Sequence, residues 1–193
     1  MIAYKAFDKD LSCRGYKFKE DAINETAEAN CRKNGFHCAE NPIDCLTYYS
    51  DWDNTVYYTV EVGGDINEDD MDSKISCTKL KLLKKLTVED FVLEGLKYMF
   101  VHPFRKWNNN VKKDEVKTNK AFAFVRGKNP LACGEIGSVI GMIKENPSNS
   151  DVISINLLKV DGVKIMPNIW YNITGEAVGR EFEDEKGNFG EAA

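Results

Sequence analysis

Between positions 31 and 45 the chain sets three thiols and an imidazole, Cys31, His37, Cys38 and Cys45, with Cys13 further ahead. Such groups hold zinc when two of them sit two to four residues apart on a tight knuckle. That spacing is missing, and His37 and Cys38, adjacent on a strand, would point to opposite faces. The thiols therefore read as small apolar groups for a core, and no metal is assigned. A Cys–His nucleophile pair fails for the same reason: the two are sequence neighbours rather than facing groups, and no Asn or Asp orients the imidazole. Further on, Asp65, Asn67 and Asp69 alternate as calcium ligands do. Asp70, however, stands where the loop needs its glycine and Ser76 where it needs its glutamate, so 65–74 reads as a solvated charge run. The chain has no Walker loop, GxGxxG, GxSxG or HExxH, and with them go the enzyme classes they mark.

Strands and short helices must position these groups. Residues 2–7 alternate as a strand, a second short strand is expected at 16–19, and the Ala- and Glu-rich run 21–32 predicts a helix of one to three turns. Asn34-Gly35 ends that element. A strand follows at 36–39, and Asn41-Pro42 then pairs an N-cap with a first helical residue, with Ile43, Leu46 and Tyr49 on one face. VYYTVEV at 56–62 has strand composition, and 75–82 alternates as a further strand. Thr87 and Asp90 form an acidic variant of the capping box before an apolar helical stripe from Val88 to Phe100, closed by Pro103. The polar run 107–119 reads as a linker, and after it come short alternating pieces with tight turns, the pattern of a small antiparallel sheet.

The predicted fold is therefore α+β, with mixed or antiparallel sheets, about three short helices and a C-terminal part that is mainly β. Its expected divisions are an N-terminal domain over 1–106, a linker over 107–120, a β-rich subdomain over 121–180 packed on the first, and a mobile tail over 181–193.

With 193 residues, 42% hydrophobic and 30% charged, the composition is that of an ordinary globular chain, and its net charge of −5 argues against nonspecific binding to a phosphate backbone. No run of eighteen apolar residues suggests a membrane span, and the charged N-terminus is unlike a signal peptide. The expected setting is a cytosol, the six cysteines are expected to be reduced, and the two N-x-T sequons at Asn24 and Asn172 then carry no glycan.

Two resemblances add to this reading. YKAFDKDLSCRGYKF at 4–18, NGFHCAENPIDCLTYY at 34–49 and LLKVDGVKIMPNIWYNITG at 157–175 resemble an uncharacterised family of bacteriophages and prophages. In longer relatives of that family, short Gly- and Ala-rich repeats fill the middle, where this chain has only ACGEIGSVIGMIKE. The resemblance implies a viral accessory protein at work in the cytoplasm of a bacterial host. The N-terminal half is also similar to an ADP-ribosyltransferase-like fold, in the order Gly35-Phe36-His37, a helix through Tyr48, and Glu61-Val62-Gly63. Here His37 replaces the pocket tyrosine, Lys5-Ala6 falls near the place of the family's His-Gly pair, Arg14-Gly15 stands in for an arginine-type motif, and no catalytic glutamate can be assigned.

These readings favour a binding protein over an enzyme: an inhibitor of a bacterial defence system that binds an immune effector, in the manner of an anti-CRISPR protein, or sequesters a nucleotide signal. The acidic residues Asp65, Glu68, Asp69, Asp70 and Asp72 are its partner-binding candidates, since an acidic surface can occupy a basic groove. Under the alternative, an ADP-ribosyltransferase-like enzyme or a degenerate nucleotide-binding relative, the ligand-pocket candidates are Tyr4, Arg14, His37, Tyr48 and Tyr49, with ring faces for stacking and a guanidinium for phosphate. No cofactor is expected, NAD entering only under the alternative of an ADP-ribosyltransferase-like enzyme or a degenerate nucleotide-binding relative. A virion or assembly component is the third reading. No membrane partner is expected.

Overall fold

A computed structural model describes residues 1–68, 73–149 and 151–179. The expected mobile tail 181–193 and the candidates Asp69, Asp70 and Asp72 lie outside the described residues.

Alternation in β1 (Ile2–Asp8) turns Ala3, Lys5 and Phe7 one way and Tyr4 and Ala6 the other. The strand lies between β5 (Phe36–Ala39) and β6 (Thr55–Glu68), antiparallel to both. The long strand β7 (Lys74–Lys85) pairs with β6 along one edge and with β5 along the other. Four antiparallel strands thus close on themselves, and closure removes the exposed edges of an open sheet. Strand β4 (Ile23–Glu25) extends β7 beyond the end of β5. A small hairpin of β2 (Ser12–Cys13) and β3 (Tyr16–Lys17) stands at the mouth. Ala3, Phe7, Phe18, Phe36, Cys38, Val60, Ile75, Cys77, Leu80 and Leu82 fill the interior.

A 3-10 helix (Pro42–Thr47) follows β5, its first turn fixed by the Asn41 side chain accepting from the Ile43 amide and by Pro42 at the start. Helix α1 (Val88–Val101) begins in a full capping box. Thr87 accepts from the Asp90 amide at 3.1 Å, and the Asp90 carboxylate accepts from the Thr87 amide at 3.2 Å. Its buried stripe, Phe91, Val92, Leu96 and Met99, lies between two β layers. On one side are Ala6, Ala39 and Tyr57 of the closed sheet with Ile43 of the 3-10 helix; on the other are Phe124, Val139 and Ile143.

The second layer is built from β8 (Val111–Thr118), β9 (Phe122–Gly134) and β10 (Val139–Glu145), three parallel neighbours with Val111 beside Phe124 and Phe124 beside Gly141. Parallel neighbours ordinarily need a crossover of a dozen residues or more, yet only 119–121 separate β8 from β9. The strands bend instead. Asp114 takes a left-handed backbone (φ 63°), and opposite it β9 bulges over 127–130 as the register shifts between Lys113 and Glu115. The chain thus winds as a short coil. Strand β11 (Val152–Lys159) closes it antiparallel to β10, with β12 (Trp170–Tyr171) and β13 (Ala177–Val178) at the far edge of β9.

The architecture corrects the expected fold class. The chain is 49% strand and 11% helix, with two helices among the described residues and barrel-like sheets, not a balanced α+β fold with three helices. The missing helix is the run 21–32. Its Asn24 is buried, accepts from the Lys19 amide and donates to the Leu80 carbonyl, which draws 23–25 onto β7 as a strand. Such tertiary hydrogen bonds outweigh the few tenths of a kcal/mol per residue that helix propensity supplies. The first half closes its strands in one barrel-like sheet rather than an ADP-ribosyltransferase-like α+β unit. In the second half the core pairings are parallel, where a small antiparallel sheet was expected, and β8 occupies most of the stretch read as a linker. No helix among the described residues is long and apolar enough to cross a membrane.

The helix comes close to the coil at Gly95, where an added Cβ would meet the Phe124 ring at 2.9 Å and, on the 3-10 helix, Ile43 at 3.1 Å. Gly95→Val should destabilise the protein by about 2 kcal/mol or more, because overpacking outweighs the gain in helix propensity. Urea unfolding followed by far-UV circular dichroism checks this, and an unchanged midpoint would contradict the packing described.

Candidate functional site

The mouth of the closed sheet holds a cavity of roughly 370 Å³. Its walls come from several pieces of chain. Lys5 and Ala6 come from β1, Cys13, Arg14 and Tyr16 from the β2–β3 hairpin, Phe36 to Ala39 from β5, and Asp44, Cys45, Tyr48 and Tyr49 from the 3-10 helix and the turn after it, with Lys74 at the start of β7. Gly35 lets β5 enter this wall. It has φ +85°, and a Cβ there would collide with the Ser76 hydroxyl and stand 2.9 Å from the Ala29 backbone.

Lys5 is the unusual member. It occupies an inward position between Ala3 and Phe7 and is only 4% exposed. Its ammonium donates to the His37 carbonyl at 2.8 Å and to Cys13 Sγ at 3.5 Å, and lies 5.2 Å from the ring centres of Phe7 and Phe18. No carboxylate among the described residues pairs with it. Charged groups this deeply buried are ordinarily paired with an opposite charge. Arg14 at the hairpin tip and Lys74 across the opening add two more cations, the Lys74 ammonium standing 3.9 Å over the Tyr48 ring. The acid in the lining, Asp44, is already engaged: it accepts from the Ser73 hydroxyl at 2.6 Å, the Ser73 amide at 3.2 Å and the Asn108 side chain at 3.0 Å. The cavity is therefore positive within a chain that is negative overall.

His37 reports that field. Burial first, then Lys74, Lys5, Arg14 and Arg32, hold its imidazole at about 4, well below the ordinary 6.5. Nε2 accepts from the Arg32 amide at 3.0 Å, which leaves the proton of the neutral ring on Nδ1. Cys38 turns into the barrel interior, where burial pushes its thiol well up, so the two neighbours do not form a nucleophile and base. The Tyr49 hydroxyl donates to Cys13 Sγ at 3.0 Å, and burial raises it out of reach of ionisation at neutral pH. Tyr16, Phe18 and Phe36 pack edge to face beside it, with ring centres 4.7 to 5.0 Å apart.

Of the sequence-derived pocket candidates, Arg14, His37, Tyr48 and Tyr49 all line this cavity. Tyr4 does not. It sits on the outer face of β1, and its hydroxyl, its ionisation pushed up by burial, donates to Glu94 at 2.8 Å, tying the barrel to α1. Asp65 and Glu68 are exposed on β6 and away from the cavity lining. Among the described residues no three acidic, His or Cys side chains are placed to hold a metal ion. Lys5, Cys13 and Lys74 were not among the pocket candidates. For Lys5 a signal existed, since the alternation that points Ala3 and Phe7 inward points Lys5 inward as well.

Residues 1–94 match a domain of unknown function, DUF7666, a span that covers the closed sheet, the cavity and the first half of α1. No curated protein and no solved structure matches the chain.

The depressed imidazole makes stability depend on pH. As pH falls from 6.5 towards 4 the unfolded chain takes up a proton that the folded His37 refuses, so stability is present above that window and is lost on descending through it. Each tenfold loss of proton affinity on folding is worth about 1.4 kcal/mol, and the half-exposed ring trims the whole effect to about 1–2 kcal/mol. Other carboxylates titrate nearby, so the quantity to measure is a difference. Urea unfolding at pH 4.5 and pH 7 should show a smaller acid loss in His37→Gln than in the wild type, and equal losses would contradict the assignment.

Proposed function

We propose that this protein binds rather than catalyses, and that its barrel mouth holds a small anionic molecule with a flat ring, of the nucleotide class. The observation that carries this is Lys5: a buried ammonium without a carboxylate, facing a cavity, is a seat for the negative charge of a ligand. At an effective dielectric of about 20, an anion some 4 Å away gains about 4 kcal/mol from one such charge. Arg14 and Lys74 extend the seat towards solvent, and the Tyr16, Tyr48 and Tyr49 rings offer faces for a base. The volume falls near the lower end of the roughly 300–1,000 Å³ of small-molecule sites, which suits a mononucleotide-sized ligand.

In the setting implied by the resemblance to phage and prophage proteins, a viral accessory protein in the cytoplasm of a bacterium, this is sequestration of a nucleotide signal used in host defence. Capture of an immune effector by the acidic run is the other form of the binding reading, with Asp65 and Glu68 exposed on β6. The NAD-dependent transferase reading gains no specific support from the cavity, whose Asp44 is held by three donors and whose His37 is held by Arg32.

Titration calorimetry against a panel of mononucleotides, cyclic dinucleotides, NAD and base-free phosphates tests the proposal. At least one ring-bearing anion should bind with micromolar affinity, and Lys5→Met should weaken it about 30-fold or more, equivalent to about 2 kcal/mol. The same substitution should raise the urea midpoint, since it removes a buried charge that only a ligand would compensate. Absence of any millimolar binding across the panel, or a Lys5→Met protein that binds as the wild type does, would overturn the proposal.

A further inference from the structure

The cavity also contains a sulfur on which two hydrogen-bond donors converge. Cys13 Sγ accepts from the Lys5 ammonium at 3.5 Å and from the Tyr49 hydroxyl at 3.0 Å. The other thiols of the lining differ: Cys38 is buried within the sheet, and Cys45, also buried, donates to the Tyr4 carbonyl at 3.5 Å. Cys13 is partly exposed and reached through the mouth, where the backbone turns through Arg14 (φ 49°) and Gly15 (φ 80°). A thiol reacts as its thiolate. Here a negative charge on sulfur would have an N–H and an O–H already directed at it, inside a cavity whose lining sets Lys5, Arg14 and Lys74 against the single carboxylate of Asp44.

We infer that Cys13 is the nucleophile of this cavity, a site of covalent capture for small anions that carry a soft electrophilic carbon. Three parts of the site share the work. Lys5 and Tyr49 stabilise the sulfur, while Arg14 and Lys74 draw the anion in and hold its charged end near the mouth. With an α,β-unsaturated carboxylate the step is a net addition of S–H across the double bond. Sulfur bonds the β-carbon, the π pair moves to the α-carbon, and the proton lost by the thiol ends there. Nothing is oxidised and no group leaves. The inference rests on the reading of the cavity as an anion seat, but not on the ring of the ligand.

The test is competitive alkylation of the whole protein with iodoacetate and iodoacetamide, read by peptide mass spectrometry. Each displaces iodide to give a thioether, and only the first carries a negative charge. Cys31, partly exposed and outside the cavity lining, serves as the reference within the same molecule. Cys13 should react about tenfold faster than Cys31, and its preference for iodoacetate over iodoacetamide should exceed that of Cys31 by about tenfold or more. Tyr49→Phe, which keeps the ring and removes only the hydroxyl, should slow both reagents at Cys13 without altering the preference. Lys5→Met should slow both reagents at Cys13 and lower the preference for iodoacetate, Arg14 and Lys74 remaining in place. If Cys13 reacts no faster than Cys31 with either reagent, the nucleophile is refuted, and nucleotide binding measured on the same sample still decides the cavity on its own. If Cys13 reacts fast but without preference for iodoacetate, the anion seat itself is refuted.

Discussion

An ammonium ion inside a closed β-sheet is the constraint on which the rest of this molecule turns. Lys5 occupies a position that alternation reserves for the core, with Ala3 and Phe7 as its neighbours on the same face of β1. It is held there by a backbone carbonyl, a thiol and two aromatic rings, not by a carboxylate. A leucine or methionine there would suit the sheet better, since burying an unpaired charge costs several kcal/mol. A destabilising residue at the head of a cavity is the pattern in which stability is given up for binding. The same charge, after burial and Lys74, helps to keep His37 neutral, and with Tyr49 it donates to the Cys13 sulfur.

The scaffold around it is suited to holding such a group still. Closure of the sheet satisfies both edges of β1, leaving Lys5 between paired strands and not on a loop. On the outside, Trp52 stacks on Tyr57 at 4.7 Å, and both meet Phe91 of α1, which in turn packs on Phe122 of the coil. The 3-10 helix is gripped at Asp44 by Ser73 and Asn108, so the wall bearing Tyr48 and Tyr49 is pinned both to β7 and to the segment leading into β8. A site assembled on rigid elements in this way spends little of its binding energy on ordering itself.

The local signals in the sequence were sound where they depended on neighbouring residues. Asn41-Pro42 opens a helix, Thr87 and Asp90 cap another, and 36–39 and 56–62 are strands. The signals failed where distant residues decide. The Ala- and Glu-rich run 21–32 lost its helix to the buried hydrogen bonds of Asn24. The run VKKDEVKT showed only Val111 and Val116 as buried apolar residues, too few to reveal a strand stacked on β9, and its parallel pairing depends on bends at Asp114 and 127–130 that no alternation encodes. At the site, Arg14, His37, Tyr48 and Tyr49 could be proposed from a resemblance in strand and helix order. Tyr4, one residue before Lys5, faces the other side of β1, where it bonds Glu94 and stays out of the cavity lining.

The central claim is that the barrel mouth is an anion seat centred on Lys5, and the most direct measurement uses the imidazole that senses its charge. Proton NMR titration of His37, one of only two histidines in the chain, should give a midpoint of about 4 in the free protein. With a saturating nucleotide anion in the cavity, the cationic field is neutralised and the midpoint should move up towards the ordinary value of a histidine. A midpoint that stays where it was while the anion is demonstrably bound would place the ligand elsewhere and contradict the account.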